Sequence, residues 1–232
     1  TNPRAYAGER PILLQITDDG DPDWSAADTA SNVGTVTVNV NWGPVVDMGG
    51  PINADRDYRV SYAEGDQPLL ITASNAEIMD LDGNIRTVTI TLSNPQDVGE
   101  RIFVPVGDAA TLAAAGITAT QTDANTIVLS VTGDGANGIN GLDGTRFQLA
   151  LRTIKYENTS ESPTALQRII NVTSVDVNTN PGLLAHTYIN VSGTNDAPVL
   201  TANGADFTTI TEDDTTNAGQ LVSDILGTVT DV

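Results

Sequence analysis

Hydrophobic and polar positions alternate with period two along much of this chain. The runs TVTVNV (35–40), RTVTITL (86–92), TIVLSVT (126–132), QRIINVTS (167–174) and HTYINVS (186–192) are rich in Thr, Val and Ile, and Gly, Asn, Asp and Pro bound them. Successive side chains of a strand face opposite ways, so the pattern predicts strands with one buried face. Helical spacing is scarce. GDAATLAAAG (107–116) predicts a short helix with Asp108 as N-cap and Gly116 as its stop, and TRFQLALRT (145–153) predicts a turn or two before a strand through Tyr156. The fold class that follows is all-β: an antiparallel Greek-key β-sandwich with one or two short helices. Leu69, Ile71, Val88, Ile90, Ile127, Leu129, Ile154, Ile170 and Val172 should form much of its core, with Tyr156 inside.

The pattern also repeats. NPRAYAGERPILLQITDD near the start and SPTALQRIINVTSVD (162–176) each place an aspartate eight positions after an arginine, Asp18 after Arg10 and Asp176 after Arg168. Both copies then run through a strand to a proline, Pro44 and Pro198. The two arginines are 158 residues apart and the two prolines 154, a period of about 155. Beyond each proline comes a strand with an acidic motif: YAEGD with Glu64 and then IMDLDG with Asp80 and Asp82, and later ITEDD with Glu212 and then TVTDV. This divides the chain into 1–44, the terminal strands of one unit; 45–198, a complete unit; and 199–232, the first strands of the next. Alternatively, the two end pieces complete each other as a split sandwich. Arg10 and Arg168, at matched positions, are expected to make structural hydrogen bonds.

Charge sharpens the reading. The formal net charge is −20, and the acids divide into 23 Asp and 7 Glu against nine Arg and Lys155. Glu would serve solubility equally well, whereas Asp suits turns that hold a hard cation. Such a field excludes nucleic acid as a partner. There is no cysteine, hence neither disulfide nor thiolate metal site. No apolar run approaches the roughly 18 residues of a membrane span, and no signal-peptide pattern opens the chain. A soluble monomer without membrane insertion is expected.

Several spaced motifs carry a family likeness. TNDAPVL (194–200) followed by ITEDD (210–214) resembles the junction of bacterial cadherin-like and VCBS-type tandem repeats. LRTIKYENTSESPTALQRIINVTSVD (151–176) is similar to a segment of the long cadherin-like repeats of giant RTX adhesins exported by type I secretion. The resemblance covers nearly all of 45–198 and implies a cadherin-like (Ig-like) sandwich at the bacterial cell surface, with calcium at the domain junctions. Carried over by position, it implies Glu64, Asp80, Asp82, Asn195 and Asp196 as ligands, with Asp18 and Asp176 pointing back to the preceding junction and Asp213 or Asp231 joining from the next unit. The first joint departs from the pattern, with Trp42-Gly43 where Asn-Asp is expected, unless Asp47 or Asn41 substitutes. Several calcium ions are expected; about five would cancel half the charge. A simple Asn-Asp-Ala-Pro turn is the alternative.

Two loops and an enzyme reading complete the picture. DDGDPDWSAAD (18–28) suits either a calcium loop or a solvated one. In GDGANGINGLDGTRF (133–147), Asp134, Asn137, Asn140 and Asp143 offer oxygens among close-set glycines, so the loop is a candidate ligand-binding site or a longer strand connection. Some RTX adhesins grip the free C-terminus of a peptide in a calcium-dependent domain, and the resemblance implies that role for this loop. His186, the lone histidine, lies inside an alternating strand and offers no catalytic base. Zinc is not expected from one His and no Cys. Glycoside hydrolysis would need stacking aromatics, and the tryptophans are just Trp24 and Trp42. No catalytic residue is expected. The sequence supports a calcium-dependent adhesion segment binding a host or matrix protein, peptide or glycan, alongside neighbouring repeats. The alternatives are a purely structural extender and a carbohydrate-binding or carbohydrate-active sandwich.

Overall fold

A computed structural model describes residues 8–15, 33–40, 42–50, 55–81, 83–133, 141–202, 206, 209–216, 218–224 and 226–230. Strands β1 (Gly8–Gln15) and β2 (Val33–Val40) form one antiparallel hairpin, and β14 (Val199–Ala202) pairs with β15 (Leu226–Thr230) in another. Between them lie β3 (Val45–Asp47), β4 (Tyr58–Ala63), β5 (Leu69–Leu70), β6 (Glu77–Met79), β7 (Ile85–Leu92) and β8 (Arg101–Phe103). Next come α1 (Ala109–Ala114), β9 (Ile117–Asp123), β10 (Thr126–Val131), α2 (Gly144–Leu151), β11 (Lys155–Glu157), β12 (Gln167–Asp176) and β13 (Ala185–Ser192). A six-stranded sheet, β4-β13-β12-β7-β10-β9, faces a three-stranded one, β5-β11-β8, and β3 pairs with β6.

Every long alternating run becomes a strand, with a period of two that suits one buried face. β12 shows this best. Arg168, Ile170, Val172, Ser174 and Asp176 are buried, and the residues between them are exposed or half-buried. The pleat therefore drives a charged group inward at each end of the row. Val88, Ile90, Ile127, Leu129, Ile170 and Val172 meet Ile71, Ile102, Phe147, Ile154 and Tyr156 in one core. Leu69 packs at its margin, half-buried rather than enclosed. Both expected helices are present. α1 begins after Asp108, whose side chain makes no capping bond, and ends before Gly116; α2 buries Phe147, Ala150 and Leu151.

One ladder departs from the antiparallel expectation. β4 runs parallel to β13, with Tyr58 opposite Thr187 and Ala63 opposite Ser192. These are the first and last long strands of the sandwich, so no tight turn joins them and nothing forces them to oppose. Both consequently leave the sheet at the same end. Among the described residues no helix is long and apolar enough to cross a membrane.

Candidate functional site

The parallel pair creates the site. Beyond the last rung, the Glu64 amide donates to Ser192 O at 2.9 Å. Glu64 Oε2 in turn accepts the amide and hydroxyl of Thr194 at 2.8 and 3.3 Å. That leaves Glu64 Oε1 buried with no hydrogen-bond partner. An uncompensated buried carboxylate oxygen is costly, so this atom calls for an electropositive neighbour.

The loop 158–164, between β11 and β12, brings a third acid. One carboxylate oxygen each from Glu64, Glu161 and Asp196 lies within 4.8 Å of the others. They line an open pocket of about 470 Å³ that has no basic residue in its wall. Two other acids there are engaged: Glu157 accepts Arg101 at 2.8 Å and Asp66 accepts the Ala63 amide at 2.8 Å. Of the clustered three, Glu161 and Asp196 accept no hydrogen bond on their carboxylates from the described residues, and Glu64 keeps Oε1 open. Unit charges about 4 Å apart repel by about 1 kcal/mol in water and about 4 kcal/mol near a protein surface. A bound divalent cation reverses the sign of that term. An all-oxygen donor set without His or Cys fits calcium or magnesium and not zinc.

Beneath the pocket is a buried ionic network. Arg168 and Glu100 have no exposed side-chain surface, and Arg168 Nε donates to Glu100 Oε1. Its Nη2 reaches Asp97 Oδ2 at 2.6 Å, and its Nη1 donates to the carbonyls of Thr164 and Leu166. Tyr156 OH donates to Glu100 Oε1 at 2.7 Å, and burial and that carboxylate push the phenol far above its ordinary range, fixing it as a donor. Burial works against ionisation of Asp97, but bonds from Thr164 and Asn158 and the Arg168 charge outweigh it and hold the carboxyl below the usual range. Tyr62 packs edge-on against Tyr156, ring centres 5.3 Å apart, and its hydroxyl meets the carbonyls of Asp66 and Asn158. The expected structural role of Arg168 is thus present in full; Arg10 lies in β1.

The sequence-derived candidates separate by end of the sandwich. Glu64 and Asp196 meet, whereas exposed Asn195 turns its amide to the Asp196 carbonyl. Asp176 lies at the opposite end, enclosed, with both oxygens taken by the amide and side chain of Asn180 at 2.7 and 2.9 Å. Asp47 is also buried there and accepts the Gly49 and Gly50 amides, which occupies it as a turn-former. Asp143 sits at the α2 N-cap, where the Thr145 hydroxyl holds its carboxyl below the ordinary range. Asp80 follows β6, and Asp213 is exposed in the turn from Thr211 to Asp214. Among the described residues neither belongs to a cluster of metal-ligating side chains. Asp18, Asn41, Asp82, Asp134, Asn137, Asn140 and Asp231 lie outside the described residues. His186 is half-buried in β13, with Nδ1 2.9 Å from Asn171 Oδ1.

Sequence reasoning missed Glu161. It stands in YENTSESP, which reads as a polar turn, and nothing in its spacing links it to residues 64 or 196. Only the strand order brings that turn to the end where β4 and β13 emerge.

No protein-family model matches this chain, and no curated protein matches it in sequence. Among solved structures, CaCohA2 from Clostridium acetobutylicum aligns with 66% of this chain and 92% of its own, at 13% identity and a TM-score of 0.35. The SrpA adhesin from Streptococcus sanguinis aligns over 71% and 67%, at 11% identity and a TM-score of 0.28. A sialic-acid-binding region of a Streptococcus sanguinis adhesin aligns over 80% and 40%, at 10% identity and a TM-score of 0.27.

Proposed function

We propose that this chain is a calcium-dependent adhesion segment of a bacterial surface protein, with a cation held by Glu64, Glu161 and Asp196 where the sandwich hands over to the next strands. One observation carries the reading: three carboxylates from segments distant in sequence converge within 4.8 Å, one with a buried oxygen lacking a partner. The likeness of residues 151–176 and 194–214 to cadherin-like adhesin repeats supports the cellular setting. The ion would supply the positive charge this pocket lacks, and further oxygens from backbone or water would complete six to eight ligands.

Location favours a second, simpler role beside it. Asp196 lies three residues before β14, so an ion there ties the outgoing segment to β4. That stiffens a joint and suits an extender module.

Immobilised protein tested against peptides with free C-termini and a glycan panel separates the two. The adhesive role requires retention of a ligand in calcium and its loss in EGTA. Retention of nothing, with calcium-dependent rigidity, assigns the extender role. Turnover of a polysaccharide or peptide would overturn both.

A further inference from the structure

We propose that Asp97 is the positioning residue of this site: one carboxylate staples both feet of the 158–164 loop and thereby holds Glu161 opposite Glu64 and Asp196. The inference rests on the cation reading above. At the first foot, Asn158 Nδ2 donates to Asp97 Oδ2 at 2.9 Å. At the second, the Thr164 amide donates to both Asp97 oxygens at 3.1 Å, and its hydroxyl donates to Oδ1 at 2.7 Å. Glu161 lies at the midpoint, three residues from each foot.

Each foot has a further partner of its own, since Tyr62 OH and Glu100 Oε1 bond Asn158 and Arg168 Nη1 bonds the Thr164 carbonyl, but among the described residues Asp97 is the side chain that bonds both feet. The loop's internal bonds are Ser160 N to Asn158 Oδ1 at 2.9 Å and Ser162 N to Ser160 Oγ at 3.2 Å. Glu161 is exposed and its carboxylate takes no hydrogen bond from the described residues, so its position is inherited from the feet. Charge balance does not explain Asp97 either. Glu100, fully enclosed against Arg168, already neutralises the guanidinium. A second acid on the same arginine is surplus to the core and necessary to the loop. Holding a ligand in place before the ion arrives removes an ordering cost from binding, and groups that orient metal ligands typically control about 10–100-fold in affinity.

The test compares wild type, Asp97→Ala, Asp97→Asn and a remote core control, Leu129→Ala. Calcium affinity is measured by titration calorimetry, and amide exchange at 159–164 in EGTA. The proposal expects Asp97→Ala to weaken calcium binding at least about tenfold and to speed exchange at the Thr164 amide, while the β7 and β12 amides stay protected. Leu129→Ala should lower the melting temperature and leave affinity unchanged. If Asp97→Ala fails to fold, Asp97→Asn decides: weakened binding supports the staple. Wild-type affinity in a folded Asp97 variant overturns this inference and leaves the cation site standing. A wild-type protein that takes up no calcium overturns the cation site and the inference with it.

Discussion

Glu64 Oε2 accepts two hydrogen bonds from Thr194, a residue 130 positions later, at 2.8 and 3.3 Å. The contact joins the exit of the first long strand to that of the last, and it commits one carboxylate oxygen while the other stays buried and free. The convergence of Glu64 with Asp196 is therefore a property of topology, since only a parallel β4–β13 pair releases both segments together.

A sign inversion follows at Glu161. Glu161→Gln removes one of three like charges and breaks no hydrogen bond among the described residues, so in EGTA the variant should melt no lower than wild type. In millimolar calcium it should melt lower, because ligand binding stabilises only the protein that binds, by about 2.7 kcal/mol at a hundredfold excess over Kd. Calorimetric melting under both conditions checks the crossover; a variant less stable in both would contradict it.

The buried network ranks its own members. Arg168→Met strands Glu100 and Asp97 without their cation and should cost about 3–5 kcal/mol. Tyr156→Phe removes a single donor from Glu100 and should cost about 1.5–3 kcal/mol. Urea denaturation measures both, and a reversed order would show that the charges are not the principal contributors.

Acid should undo part of this network. Asp97 ionises below the ordinary carboxylate range in the folded protein, so its contribution is complete above the unfolded value of about 4 and disappears as pH falls through the lower folded value. In EGTA, the stability gap between wild type and Asp97→Asn should be constant from pH 7 to about 5 and shrink below about pH 4. A gap that widens on acidification would contradict the assignment.

Two glycines with similar backbone angles should respond differently to alanine. Gly65 (φ +76°) faces open space, so Gly65→Ala should cost only the left-handed strain of about 1–2 kcal/mol. Gly99 (φ +95°) shapes the turn that presents Asp97 and Glu100, and a Cβ there would collide with Thr159 Oγ1. Gly99→Ala should cost more than Gly65→Ala by thermal melting, and it alone should loosen the 158–164 loop in amide exchange.

Local alternation made the strands legible, because a buried face marks every second residue wherever a strand is long. The runs through Val88, Leu129, Ile170 and Ile189 all lie where the pattern puts them. Two- and three-residue strands such as β5 and β8 carry no period and were invisible. Strand direction was invisible too, since alternation reads the same for parallel and antiparallel partners. The site suffered from the same blindness. The likeness to cadherin-like repeats singled out Glu64 and Asp196, whereas Glu161 acquires its meaning from the sheet order. Asp176 looked like a ligand because of its repeat position, yet the residue four places on, Asn180, consumes both its oxygens.

Glu64, Glu161 and Asp196 are proposed to share a divalent cation. Counting bound calcium per chain by equilibrium dialysis, for wild type and for the double variant Glu64→Gln/Glu161→Gln, tests this directly. The variant should bind one ion fewer and keep its calcium-free melting. Equal counts in the two proteins, zero included, would rule the shared ion out.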